Sequence, residues 1–141
     1  MSATDGGVGD DDVVWFLYTG QPNWEISADI THLRIDPSVK VIAQGAFSGC
    51  EQLKFVDIVP CETGLEMIGQ DAFYKCKSLR RFNVPSTVKK IGTWAFFGCE
   101  HLVVVELNEG LEEIGMGAFN GCKCLTRMKV PSTAERLARA F

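Results

Sequence analysis

The sequence predicts an α/β repeat solenoid: a short right-handed coil with a parallel β-ladder on one side, short helical or 3-10 turns on the other, and a C-terminal capping helix. Three observations carry that expectation. Ile68, Ile91 and Ile114 begin similar segments spaced 23 residues apart. Each unit holds an Ala-Phe pair, with Cys three positions after Phe and Leu three after Cys, at Phe47, Phe73, Phe96 and Phe119. Each unit then closes on an apolar-x-apolar alternation, the period of a half-buried strand. A unit this short cannot bury its own apolar face, so it must stack on its neighbours.

Taken in order, residues 1–11 are rich in Gly and Asp and read as a disordered tail. Residues 12–41 read as an N-terminal cap and half-repeat. Ile30, Leu33 and Ile35 reproduce the strand pattern, Asp36-Pro37-Ser38 the turn after it, and the apolar residues 13–18 with Trp24 the cap. The repeats follow at 42–67, 68–90, 91–113 and 114–131. The first is lengthened by three residues around Cys61–Gly64, so it spans 26 (68 − 42).

Columns of equivalent residues become ladders through the coil. Phe47, Phe73, Phe96 and Phe119 form one, and Leu53, Leu79, Leu102 and Leu125 open the strands. Each buried Phe or Leu contributes about 1.5–3 kcal/mol. Gly69, Gly92 and Gly115 after Ile, and Gly49, Gly98 and Gly121 before Cys, read as corners needing positive φ. Ala43 and Lys75 interrupt those columns, so their corners must differ or carry strain. Pro85-Ser86-Thr87 and Asn108-Glu109-Gly110 are turn chemistry. Ser132-x-x-Glu135 reads as a capping box opening the helix of 132–141, with Ala134, Leu137, Ala138 and Phe141 on one face. That stretch also reads as the start of a decayed repeat, since Ala140-Phe141 echoes the motif.

These residues resemble the BspA-like class of leucine-rich repeats, whose consensus runs Ile-Gly-x-x-Ala-Phe-x-Gly-Cys-x-x-Leu-x-x-Val-x-Ile-Pro. The resemblance covers residues 30 to about 133. ITHLRIDPSVKVI, from Ile30, and Trp94 before Ala95-Phe96 look like the versions abundant in diatom genomes. The resemblance implies a binding scaffold, often on cell surfaces in bacteria and protists, and supplies no catalytic residues.

Composition narrows the function. Apolar residues make 46% of the 141 and charged residues 23%, a globular balance for one domain. A net charge of −4 argues against nucleic-acid binding, and no apolar run reaches the roughly 20 residues of a membrane span. The run at 13–18 follows three aspartates and makes a poor export signal. Cys50, Cys76, Cys99 and Cys122 share one column and read as stacked, buried, reduced thiols. A ladder spreads sulfurs along the axis, against both disulfides and a zinc site. Unpaired thiols and the missing signal favour an intracellular setting. His101 lies two residues from Cys99 but reads as a loop histidine, so no catalytic residue, metal or cofactor is expected.

The outward face of the ladder is the candidate contact surface. One column is His32, Phe55, Arg81, Val104 and Arg127; the other is Arg34, Asp57, Asn83, Glu106 and Lys129. Aromatic and Arg residues in the first suit an interface, while the second reads equally as a self-paired polar sheet. A second candidate patch is Tyr74, Trp94 and Phe97, which serve alternatively as structural cover. Five strands at about 4.8 Å make a face roughly 24 Å long, enough for a peptide or small domain and short of a full interface. The expected function is non-catalytic protein or peptide binding; self-association or cell-surface adhesion is the alternative.

Overall fold

The computed structural model describes residues 12–59 and 62–132. Four of the six coils carry one longer strand and, after a turn, a two-residue strand; among the described residues the first and last carry the longer strand alone. The longer strands are β1 (Trp15–Tyr18), β2 (His32–Ile35), β4 (Phe55–Asp57), β6 (Arg81–Val84), β8 (Val104–Leu107) and β10 (Arg127–Lys129). The short ones are β3 (Val41–Ile42), β5 (Met67–Ile68), β7 (Lys90–Ile91) and β9 (Glu113–Ile114). All pairings are parallel and keep the repeat register, such as Phe82 with Val105 and Ile68 with Ile91.

The molecule is a β-solenoid, which corrects the expected α/β composition. Among the described residues the one helix is the 3-10 turn Asn23–Glu25. The Ala-Phe segments make isolated turns, such as Cys50 N–H to the Phe47 carbonyl at 3.1 Å. They do not become helices because their backbone groups also bond to the next coil. Phe47, Phe73 and Phe96 donate N–H to the carbonyls of Ala72, Ala95 and Ala118 at 2.8, 2.7 and 2.8 Å. An α-helix would keep those bonds within itself. Of the expected capping helix, 133–141 lie outside the described residues. Ser132 sits in a turn, and its hydroxyl donates to Glu109 at 3.0 Å, a bond to the preceding coil that its capping-box role did not anticipate.

The core is a column of rings. Phe47, Phe73, Phe96 and Phe119 stack with centroids 5.4, 5.3 and 5.2 Å apart, and all are buried. Phe82 packs edge-on against Phe73 and Phe96. At the N-terminal end Tyr18 takes the next place, 5.0 Å from Phe47, and its hydroxyl accepts the Ala43 N–H. β1 is thus a further strand of the ladder, making six rather than five among the described residues, with Tyr18 inward and Val13, Val14, Trp15 and Leu17 exposed. Trp24, expected in the cap, is 84% exposed.

The glycine expectation divides. Gly49, Gly98 and Gly121 have φ of 78°, 72° and 81°, and Lys75 in their column is held at 57°, the strain anticipated there. Gly69, Gly92 and Gly115 do not have positive φ. They are needed because the preceding coil's backbone passes too close for a Cβ.

The ladder is not continuous. β1, β2 and β4 form one sheet and β6, β8 and β10 another, whereas β3, β5, β7 and β9 form one unbroken sheet on the neighbouring side. The split coincides with the lengthened turn, where Thr63 and Glu62 bond back to Val59. It also coincides with the bulky inward Phe82, whose neighbours in the column are Val56 and Val105. Phe82 itself stays in register with Val105 of β8, so the break lies on the β4 side alone.

Candidate binding face

The two predicted columns exist in register within each sheet. His32 lies beside Phe55, and Arg81 beside Val104 beside Arg127. Arg34 pairs with Asp57, and Asn83 with Glu106 with Lys129. The split separates Phe55 from Arg81 and Asp57 from Asn83, so the face has two halves of different chemistry.

The first half is aromatic. β1 adds two residues not assigned to the face from sequence: Trp15 beside His32 and Leu17 beside Arg34, both about half exposed. The Trp15 ring lies 5.0 Å from His32 and 6.2 Å, edge-on, from Phe55, with His32 and Phe55 5.9 Å apart. The Arg34 guanidinium sits over Trp15 at 5.2 Å while its Nε donates to Asp57 at 2.9 Å. A cation held over an aromatic face is attracted by the ring quadrupole, so Arg34 is fixed from both sides. Its terminal nitrogens have no partner among the described residues. Trp15, Phe16, Leu17 and Arg34 line a concavity of about 570 Å³. His32 Nδ1 is 2.8 Å from the Thr31 hydroxyl, which orients the ring. The signal for Trp15 was present: Trp15 and Leu17 alternate with Phe16 and Tyr18 as a strand does.

The second half is basic. Arg81, Arg127 and Lys129 are exposed, and none of them forms an ion pair among the described residues. Asn83 accepts from Asn108 at 3.0 Å. Of the self-pairing expected along the second column, only Arg34–Asp57 forms.

In the second patch Tyr74 and Phe97 stack at 5.1 Å, both half-buried, with Lys75 over Tyr74. Trp94 does not join them. It lies over Gly117, where a Cβ would come within 2.7 Å of its ring. The patch is a two-ring stack and a separate indole.

The cysteine column stacks as anticipated, with Cys50, Cys76 and Cys99 buried and Cys122 half-buried. Cys76, Cys99 and Cys122 each donate Sγ–H to the Phe carbonyl of the coil before, at 3.2 Å. All five described cysteines are free, Cys124 alone exposed; Cys61 lies outside the described residues. Burial pushes the Cys50 thiol up to about 11 and Cys76 well above the ordinary range. Cys99 is raised by its contact with Cys122 and by burial, and that same contact lowers Cys122. Cys50, Cys76 and Cys99 thus keep their protons where the unfolded chain ionises. The stability that Cys50 contributes is fully present below 9.0 and is lost as pH rises toward 11. Melting temperature is expected to fall over that interval, and a Cys50→Ala variant to fall less steeply. A flat profile would refute the buried-thiol account. Native protein should yield Cys124 to a thiol reagent first, and Cys50, Cys76 and Cys99 only after denaturation.

His101 is exposed and held by the Lys77 carbonyl, 2.7 Å from its Nδ1, while Cys99 is buried and bonded to Phe73. They do not form a nucleophile pair. Among the described residues no three His, Cys, Asp or Glu gather as a metal site, and no helix is long and apolar enough to cross a membrane.

Residues 24–141 match the BspA type leucine-rich repeat region, in six copies. The chain belongs to the BspA-type leucine-rich-repeat family. A leucine-rich repeat protein of Bacteroides ovatus is similar in structure, with TM-score 0.72 and 27% identity over 81% of this chain and 28% of that one. The leucine-rich repeat protein of T. pallidum gives 0.67 and 26% over 89% of this chain and 67% of that one. This chain thus spans little more than a quarter of the B. ovatus protein. Both are bacterial, so they support the repeat class and leave the diatom-type likeness where the sequence put it. No curated protein matches the chain.

Proposed function

We propose that this solenoid is a non-catalytic module that binds an extended peptide or small protein domain across the outward face of its strand ladder. The observation that carries this reading is the exposed Trp15–His32–Phe55 cluster beside the pinned Arg34. Aromatic and Arg side chains on a rigid ladder give contact area at small entropic cost, as interface anchors do. Membership in a repeat family associated with interaction and adhesion supports the class of function. Six strands at about 4.8 Å give a face near 29 Å long, which spans roughly nine residues of extended peptide. The stacked free thiols support a reducing, intracellular setting as part of this reading.

The test is selection from a displayed random-peptide library on the full chain. Enriched peptides are expected to lose at least about tenfold in affinity on Trp15→Ala or Phe55→Ala, a loss of roughly 1.4 kcal/mol. A second loss is expected on charge reversal of Arg81 and Arg127. Peptides that bind these variants and the native chain alike would sink the proposal.

A further inference from the structure

We infer that the corner formed by Lys54, Ser78, Arg80 and His101 is a binding site for a tetrahedral oxyanion of the phosphate class. The four side chains come from three successive coils and line a concavity of about 120 Å³. A single water needs about 10–15 Å³ on the same measure, so a small oxyanion fits.

The charges there are unbalanced in one direction. The column just before the site alternates in sign and is paired: Glu51 with Lys77 and Glu100 with Lys123, each at 3.9 Å. The acids of this corner are therefore already engaged. Lys54 and Arg80 occupy equivalent positions on adjacent coils, and neither has an ion-pair partner among the described residues. Like charges placed side by side on a ladder repel, and an anion between them removes the repulsion. His101 is tethered through Nδ1–H to the Lys77 carbonyl and forms one wall of the concavity. No described group bonds the Ser78 hydroxyl.

The split in the ladder adds a backbone donor. The amides of Lys54, Val103 and Thr126 each donate to the coil before, at 2.8, 2.7 and 3.1 Å. The equivalent bond from Arg80 to the Lys54 carbonyl is missing, since β6 stands off β4 there. Two cationic side chains and a hydroxyl around one small concavity, on a coil whose Arg80 amide lacks its inter-coil bond, are the donor types that charge-assisted oxyanion binding uses.

Arg80 directly precedes Arg81, so the site adjoins the basic half of the face. Where the oxyanion is a phosphorylated side chain of a bound peptide, the inference rests on the peptide-binding reading; free phosphate is the other source of the same chemistry. Amide-resolved NMR of the full chain, titrated with inorganic phosphate and with a phosphoserine tripeptide, tests it. Saturable shifts at Ser78, Arg80 and His101 are expected. A Lys54→Gln/Arg80→Gln double variant, folded because both side chains are exposed, should weaken binding on the order of tenfold or more. An Arg81→Gln/Arg127→Gln variant should still show saturable phosphate shifts at Ser78, Arg80 and His101 while losing peptides selected on the face, so failure of the peptide face and failure of this site are read separately. Tighter binding of the tripeptide assigns a peptide-borne phosphate, equal binding the free ion, and both support the site. Shifts that do not saturate, or that persist in the double variant, would overturn it.

Discussion

Replacing Phe96 with Ala is expected to destabilise the chain by about 3–5 kcal/mol, the range for a fully buried aromatic residue. The ring is enclosed on three sides: Phe73 at 5.3 Å, Phe119 at 5.2 Å and Phe82 edge-on at 4.8 Å. Aromatic contacts of this kind are worth about 0.5–1.5 kcal/mol beyond burial, so the loss exceeds that of an isolated ring. The surrounding rings cannot close the gap. Their spacing is fixed by the backbone bonds from Phe73 to Ala95 and from Phe96 to Ala118. Denaturant titration followed by circular dichroism measures it. A loss under about 1 kcal/mol for Phe96→Ala would mean that the rings do not carry the fold.

How much of this was legible in the sequence depends on whether a feature repeats. The Phe, Ala, Leu and Cys columns were readable because each residue recurs at one period, and stacking leaves those positions no other place. The outward columns were readable for the same reason, from alternation about the inward Leu33, Val56, Phe82, Val105 and Met128. What did not repeat was lost. Trp15 and Leu17 belong to the face, yet no Ala-Phe motif precedes them, so they passed for part of a cap. The split between β4 and β6 falls at the lengthened turn, and a period cannot show which inter-coil bonds are missing there. The helical turns were expected because tight Ala-Phe loops and α-helical starts share local chemistry. The difference lies in bonds to the next coil, which no single unit reveals. Tyr18 shows the same limit, since it fills the Phe column's first place from a segment with no resemblance to the repeat.

The glycines after Ile provide the sharpest test of how closely the coils pack. A Cβ on Gly92 would lie 2.5 Å from the Gln70 nitrogen, and one on Gly115 2.3 Å from the Thr93 nitrogen. Both obstacles are backbone, and the coils are tied at this level by Gly92 to Ile68 and Gly115 to Ile91, at 2.8 and 2.7 Å. Nothing there yields by rotating a side chain, so an added methyl must push whole coils apart. Ala43 shows the converse. It occupies the equivalent place two coils before Gly92, is exposed, and donates its N–H to Tyr18 instead of to a coil backbone. Gly92→Ala is therefore expected to cost at least the 1–3 kcal/mol or so of an overpacked core, and Gly115→Ala a similar amount. Gly49→Ala separates crowding from backbone conformation. Its φ is 78° but its Cβ would meet nothing within 4 Å, so it should cost only about 1–2 kcal/mol, for the left-handed geometry. Since both changes add one methyl, a Gly92→Ala cost no greater than that of Gly49→Ala would show that the coils are not held at this spacing. A larger cost at Gly92 and Gly115, with Gly49 behaving as an ordinary left-handed corner, locates the tightest packing of the solenoid on the side where its short strands form one unbroken sheet.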